Sequence, residues 1–124
     1  MKILYAEDEK ILREYMANEF NEMGHTVESV EDGEHALERL AASADYDLLL
    51  TDQNMHSGVT GVEVLKRVRE DVKYKELPVI VLSSDDRVAA EVRKLGGAYM
   101  PKGTDFEQRV VMLRGCFDLI EFLR

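Results

Sequence analysis

Three runs in this chain, KILYA at 2–6, DLLLT at 47–51 and PVIVLS at 78–83, are apolar without alternation. A strand with one wet face alternates apolar and polar residues, so unbroken runs of this kind belong to strands covered on both faces. Longer stretches with apolar residues at helical spacing separate them. This alternation predicts a parallel sheet sandwiched between helices, with strands at Lys2–Ala6, Thr26–Val30, Leu48–Thr51, Val79–Ser83 and Ala98–Met100. Glu28, set between Val27 and Val30, places the second strand at an edge.

The helices follow from spacing and punctuation. Ile11, Leu12, Tyr15, Met16, Phe20 and Met23 form the inner stripe of a first helix that Gly24 stops. Gly33–Ser43 is a second. Thr60 and Glu63 form a capping box that opens a third, with Leu65, Val68 and Val72 inward. Arg87–Leu95 is a short fourth, ended by Gly96 and Gly97. Thr104 and Glu107 form another capping box, opening a fifth helix whose inner stripe is Phe106, Val110, Leu113, Phe117 and Ile120. That helix carries a second apolar stripe, Met112, Cys116, Leu119 and Leu123, about a quarter-turn away. Two readings fit it: packing between the sheet and a neighbouring helix, or contact with a second copy or a downstream target.

Five β-α pairs joined by right-handed crossovers favour a single doubly wound α/β domain over 1–124, with strand order 2-1-3-4-5. Ligands then bind past the strands' carboxyl ends, in the crevice between the first and third strands. The chain's 124 residues, 45% of them hydrophobic, suffice for one core. Acidic residues outnumber Lys plus Arg by 25 to 16, a net charge of −9. That excess argues against binding nucleic acid or an anionic membrane. The lone Cys116 forms no internal disulfide and fits a reducing cytoplasm. The sequence carries neither a signal peptide at its start nor an apolar run of membrane-spanning length.

Residues that bear chemistry collect at the predicted crevice: Glu7 and Asp8 after the first strand, Asp52 after the third, Ser83 at the fourth and Lys102 beyond the fifth. Three carboxylates together resist ionisation unless a cation neutralises them. Oxygen donors without cysteine or histidine suit Mg²⁺, and its open positions suit a phosphoryl group. In that setting Asp52 is placed as the nucleophile, Lys102 offsets phosphoryl charge and Ser83 donates to a phosphoryl oxygen. His56, in a loop between Met55 and Ser57, reads as solvated.

The whole pattern resembles the response-regulator receiver domain of two-component signalling, the CheY-like group with the flavodoxin-like fold. That family shares the 2-1-3-4-5 order, so the order adds no independent weight. The resemblance implies that Asp52 takes a phosphoryl group from the phosphohistidine of a histidine kinase or phosphotransfer protein. It also implies that Asp8, Asp52 and the carbonyl of Asn54 ligate Mg²⁺, with Glu7 acting through water, and that Ser83 and Tyr99 form the switch. Such a domain phosphorylates and dephosphorylates itself and is not a turnover enzyme. The chain departs from the family pattern at His56, where a proline is usual, in a loop one residue longer before Gly61. Ser84 replaces the usual alanine, Gly103 a proline tied to a cis peptide, and the stretch from Ser83 to Tyr99 is short. Two rivals remain: a receiver-like adaptor that is never phosphorylated, and a Mg²⁺-dependent phosphohydrolase of the haloacid-dehalogenase type. The second lacks its acid/base, because Asn54 stands where that family has an aspartate.

Overall fold

The side chains of each central strand divide between two layers. Leu4, Ala6, Leu49, Val79 and Val81 point to one face, and Ile3, Tyr5, Leu48, Leu50, Ile80 and Leu82 to the other. A computed structural model describes residues 1–43 and 45–123, with the side chains of Phe117, Leu119, Ile120, Phe122 and Leu123 outside the description. Five parallel strands, β1 (Lys2–Ala6), β2 (Thr26–Val30), β3 (Leu48–Asp52), β4 (Val79–Ser83) and β5 (Ala98–Pro101), form one sheet in the order β2-β1-β3-β4-β5. Helices α2 (Gly33–Ala42), α3 (Gly61–Glu70) and α4 (Ala89–Lys94) cover the first face. Helices α1 (Lys10–Glu22) and α5 (Phe106–Leu123) cover the second. The unbroken apolar runs therefore reflect burial on both sides. Leu48, Leu49 and Leu50 are each at most 2% exposed, and each contributes about 1.5–3 kcal/mol by leaving water. That burial offsets the cost of seating the Asp52 carboxylate at the end of the same strand.

The structure corrects several details of the sequence reading. In α1 only Leu12, Met16 and Phe20 are buried, while Ile11 is 71% exposed and Tyr15 and Met23 are partly so. Residues four apart share a helix face, whereas Ile11 and Tyr15 lie about 100° away, past the sheet contact. α3 ends at Glu70, so Val72 falls in the following turn and is 86% exposed. The fourth helix is a 3₁₀ turn, Asp86–Val88, followed by α4. The cap of α5 is Asp105, not Thr104: the Gln108 amide donates to Asp105 Oδ1, and the Gln108 side chain accepts from Thr104.

The second stripe of α5 fails as a surface at one position. Cys116 is fully buried against Ile3, Tyr5 and the α1 core, and Met112 is half-buried. The side chains of Leu119 and Leu123 lie outside the description, as do those of Phe117 and Ile120 in the inner stripe. Phe106, expected inward, is 39% exposed and sets its ring edge-on to Tyr15, 5.7 Å between centroids. No helix among the described residues is long and apolar enough to cross a membrane.

Candidate functional site

Asp52 is the last residue of β3, paired with Leu82 of β4, and its side chain is 1% exposed. The chain leaves it through a tight brace. Gln53 donates its amide to Leu82 O, accepts the Gly61 amide at its own carbonyl, and accepts the Val62 amide at Oε1. Gly61 is required because a Cβ there would stand 2.5 Å from Asp52 O. Residues between Gln53 and Gly61 thus form a loop pinned at its base. It carries Asn54 to the rim of a cleft of about 260 Å³ over Asp52.

The predicted residues converge there. Asp8, Asp52, Asn54, Ser83 and Lys102 line the cleft, and one carboxylate oxygen from each of Glu7, Asp8 and Asp52 lies within 4.8 Å of the others. Lys102 Nζ is 2.6 Å from Asp52 Oδ2 and 3.3 Å from both Glu7 oxygens, donating to Oε2. Asp52 Oδ1 and Glu7 Oε1 are buried without a hydrogen-bond partner. A buried carboxylate oxygen without a donor is costly. Burial, then the adjacent Asp52 carboxylate, raises Glu7 to about 9. Burial raises Asp52 as well, against the opposing pulls of the neighbouring Glu7 carboxyl and of Lys102. Burial lowers the Lys102 ammonium, but attraction to Asp52 and Glu7 outweighs it and leaves the pKa raised. One lysine does not balance the cluster. Orphaned oxygens among all-oxygen donors fit a hard divalent cation.

Ser83 is 2% exposed and its Oγ accepts the Asp85 amide at 3.0 Å. Tyr99, paired with Val81 in the sheet, donates its hydroxyl to Ser83 O at 3.0 Å. The peptide before Gly103 is trans, as are all the others described, and Gly103 takes φ +86°. His56 keeps a side chain 86% exposed, with Nε2 3.5 Å from Asp8 Oδ2. Three residues at the site are missed by the sequence reading. Gln53 acts through its backbone and its side-chain Oε1 together, and Glu9 and Arg109 line the cleft as an ion pair joining the start of α1 to α5. Only Glu9, adjacent to the acidic pair, had a place that invited attention.

An acidic cluster at the winding reversal of a 2-1-3-4-5 sheet, with a lysine reaching across from beyond the fifth strand, is the arrangement of a receiver domain. Residues 3–111 match the family described as response regulator receiver domain, and the chain belongs to it. It is 33% identical over 96 residues to the chemotaxis protein CheY1 of Helicobacter pylori, covering 77% of each chain. To CheY of Pseudomonas aeruginosa it is 37% identical over 86 residues, 68% of each. Among solved structures, Vibrio cholerae CheY4 superposes with a TM-score of 0.75 at 26% identity, over 91% of this chain and 95% of that one. The Thermotoga maritima response regulator TrrA, in complex with Mg²⁺ and BeF, gives 0.71 at 28% identity, over 90% and 97%. Phosphorylation-controlled switching is the general function of this family, and its members generally hold Mg²⁺ at an acidic pocket. Receivers of the CheY-like group are signalling domains that work with histidine kinases and downstream targets.

Proposed function

We propose that residues 1–124 act as one receiver domain whose phosphoacceptor is Asp52. The observation that carries this reading is Asp52 itself: one carboxylate oxygen is held by Lys102 at 2.6 Å and the other is buried without a partner. A carboxylate so placed is fixed in orientation and retains a free oxygen to attack phosphorus. As the Asp52 oxygen bonds to phosphorus, the P–N bond to the donor's histidine breaks and its electron pair leaves on the imidazole. Lys102 then spans the Asp52 carboxyl and the new phosphoryl group, and the Ser83 hydroxyl turns from the Asp85 amide to donate to a phosphoryl oxygen. Asp8, Asp52 and the Asn54 carbonyl would hold Mg²⁺, with Glu7 acting through water, and the ion would supply neutralisation of phosphoryl charge when bound.

Tyr99 and Ser83 form the switch in this reading, because the Tyr99 hydroxyl rests on the Ser83 carbonyl and moves with it. The phosphoryl donor is a histidine kinase or phosphotransfer protein, and the output is a contact with a downstream protein or a second copy. Water slowly reverses the aspartyl phosphate, so the domain resets itself without turning over a substrate. The reduced, buried Cys116 suits the cytoplasm where such kinases present their phosphohistidine.

Acetyl phosphate tests this with a mass measurement of the intact protein. One phosphoryl group is expected on the wild type with Mg²⁺, little without it, and none on Asp52→Asn. Label on Asp52→Asn at the wild-type level overturns the assignment, and a wild type that takes no label is the unphosphorylated adaptor instead.

A further inference from the structure

The cleft over Asp52 has a second cation in its wall besides Lys102: Arg109, one turn inside α5. Phosphotransfer as described above gives it no task. Its Nη1 lies 2.5 Å from Glu9 Oε2, and Glu9, at the start of α1, lines the same cleft. The Arg109 Nε is buried and has no hydrogen-bond partner. A guanidinium is a rigid fork whose paired donors match the oxygens of a phosphate, and the contact with Glu9 leaves that fork incompletely used. The pair is also loosely held, since its side chains are 28% and 38% exposed and such pairs are weak.

An anionic donor entering this cleft meets a protein of net charge −9 and the carboxylates of Asp8 and Glu9 at its walls. Lys102 is already engaged with Asp52 and Glu7. We propose that Arg109 is a phosphate-binding residue of the receiver site, held at the wall by Glu9 while Asp52 is free and passed to the phosphoryl group when a donor enters. The inference rests on the reading of Asp52 as phosphoacceptor. In the assisted step an Asp52 oxygen bonds to phosphorus while the donor's bond to phosphorus breaks, the electron pair leaving on acetate or imidazole. Arg109 transfers no proton and forms no covalent bond. It neutralises phosphoryl oxygens, and Glu9 competes with them for the same fork.

The competition gives opposite signs for the two partners. With acetyl phosphate as the probe, fixed Mg²⁺ and the full chain, the second-order rate of Asp52 labelling is read by intact mass. Arg109→Gln is expected to slow it about tenfold, the scale of one charge-assisted hydrogen bond. Glu9→Gln is expected to speed it about threefold by releasing the guanidinium from a weak pair. In the Arg109→Gln background, Glu9→Gln is expected to give a smaller gain than in the wild type, that of removing a repelling carboxylate alone, and an equal gain in both backgrounds overturns the proposal; Arg109→Lys is expected to recover part of the rate. A merely structural ion pair predicts that both single variants slow labelling or leave it unchanged, and either result overturns the proposal. If Arg109→Gln fails to fold in a thermal melt, Arg109→Lys takes its place: labelling slower than the wild type is expected, because the charge remains but the fork is lost, and an unchanged rate overturns the proposal. Absence of label on the wild type overturns this inference together with the Asp52 reading, whereas labelled wild type with no rate gain in Glu9→Gln overturns this inference alone.

Discussion

Lys102 Nζ stands 2.6 Å from Asp52 Oδ2, joining the loop after β5 to the end of β3. The contact spans the crevice at which the sheet's winding reverses, and it is the principal neutralisation of two buried carboxylates. Lys102→Gln should therefore destabilise the metal-free protein by about 1–3 kcal/mol, the loss being capped because a stranded carboxyl takes up a proton. Urea unfolding at neutral pH with a chelator measures it. An unchanged midpoint would show that the ammonium contributes no net stability.

Asp8 contributes an oxygen to the acidic cluster without being buried in it. Asp8→Asn keeps the size and removes the charge, so Mg²⁺ affinity should fall about tenfold or more, as ligand charge sets affinity at hard-cation sites. Amide chemical shifts followed through a Mg²⁺ titration of both proteins test this. Equal affinities would remove Asp8 from the ligand set.

Gly61 is where the chain doubles back over the Asp52 carbonyl. A Cβ at 2.5 Å from that oxygen meets backbone, which cannot swing aside as a side chain does. Gly61→Ala should cost about 1–3 kcal/mol and slow phosphoryl uptake through displacement of the Asp52 backbone. A variant with wild-type melting and wild-type labelling would show that the loop relaxes freely.

Asp32 caps α2 through the His35 amide and also holds the His35 ring, Oδ1 to Nδ1 at 2.7 Å. Its carboxylate raises the His35 pKa. A histidine raised on folding stabilises the protein fully below its unfolded value of about 6.5, and that contribution is lost as pH rises through the folded value. Asp32→Asn keeps a good cap but removes the charge, so the His35 titration followed by NMR should move to lower pH. No movement would mean that the ring is not paired with Asp32 in solution.

The strands, their order and the gathering of Glu7, Asp8, Asp52, Ser83 and Lys102 at one end of the sheet were legible in the sequence, because each depends on simple rules. Burial on both faces forces an unbroken apolar run, parallel strands require crossovers, and a doubly wound sheet gathers its strand ends at one crevice. Asp52 could be located without coordinates since it ends the run Leu48, Leu49, Leu50 and Thr51. What the stripes on α1 and α5 would touch was not legible. Periodicity gives the direction of a side chain but not the width of the surface it meets, so Ile11 reads as core and lies 71% exposed, while the stripe through Cys116 fits core or contact surface equally and Cys116 is fully buried. Tertiary structure alone decided that Gln53 braces the α3 end of the loop, that Gly61 must clear the Asp52 carbonyl, and that Arg109 reaches Glu9 across 100 positions of chain. Those relations depend on distances between elements remote in sequence, which side-chain packing sets and no local spacing encodes.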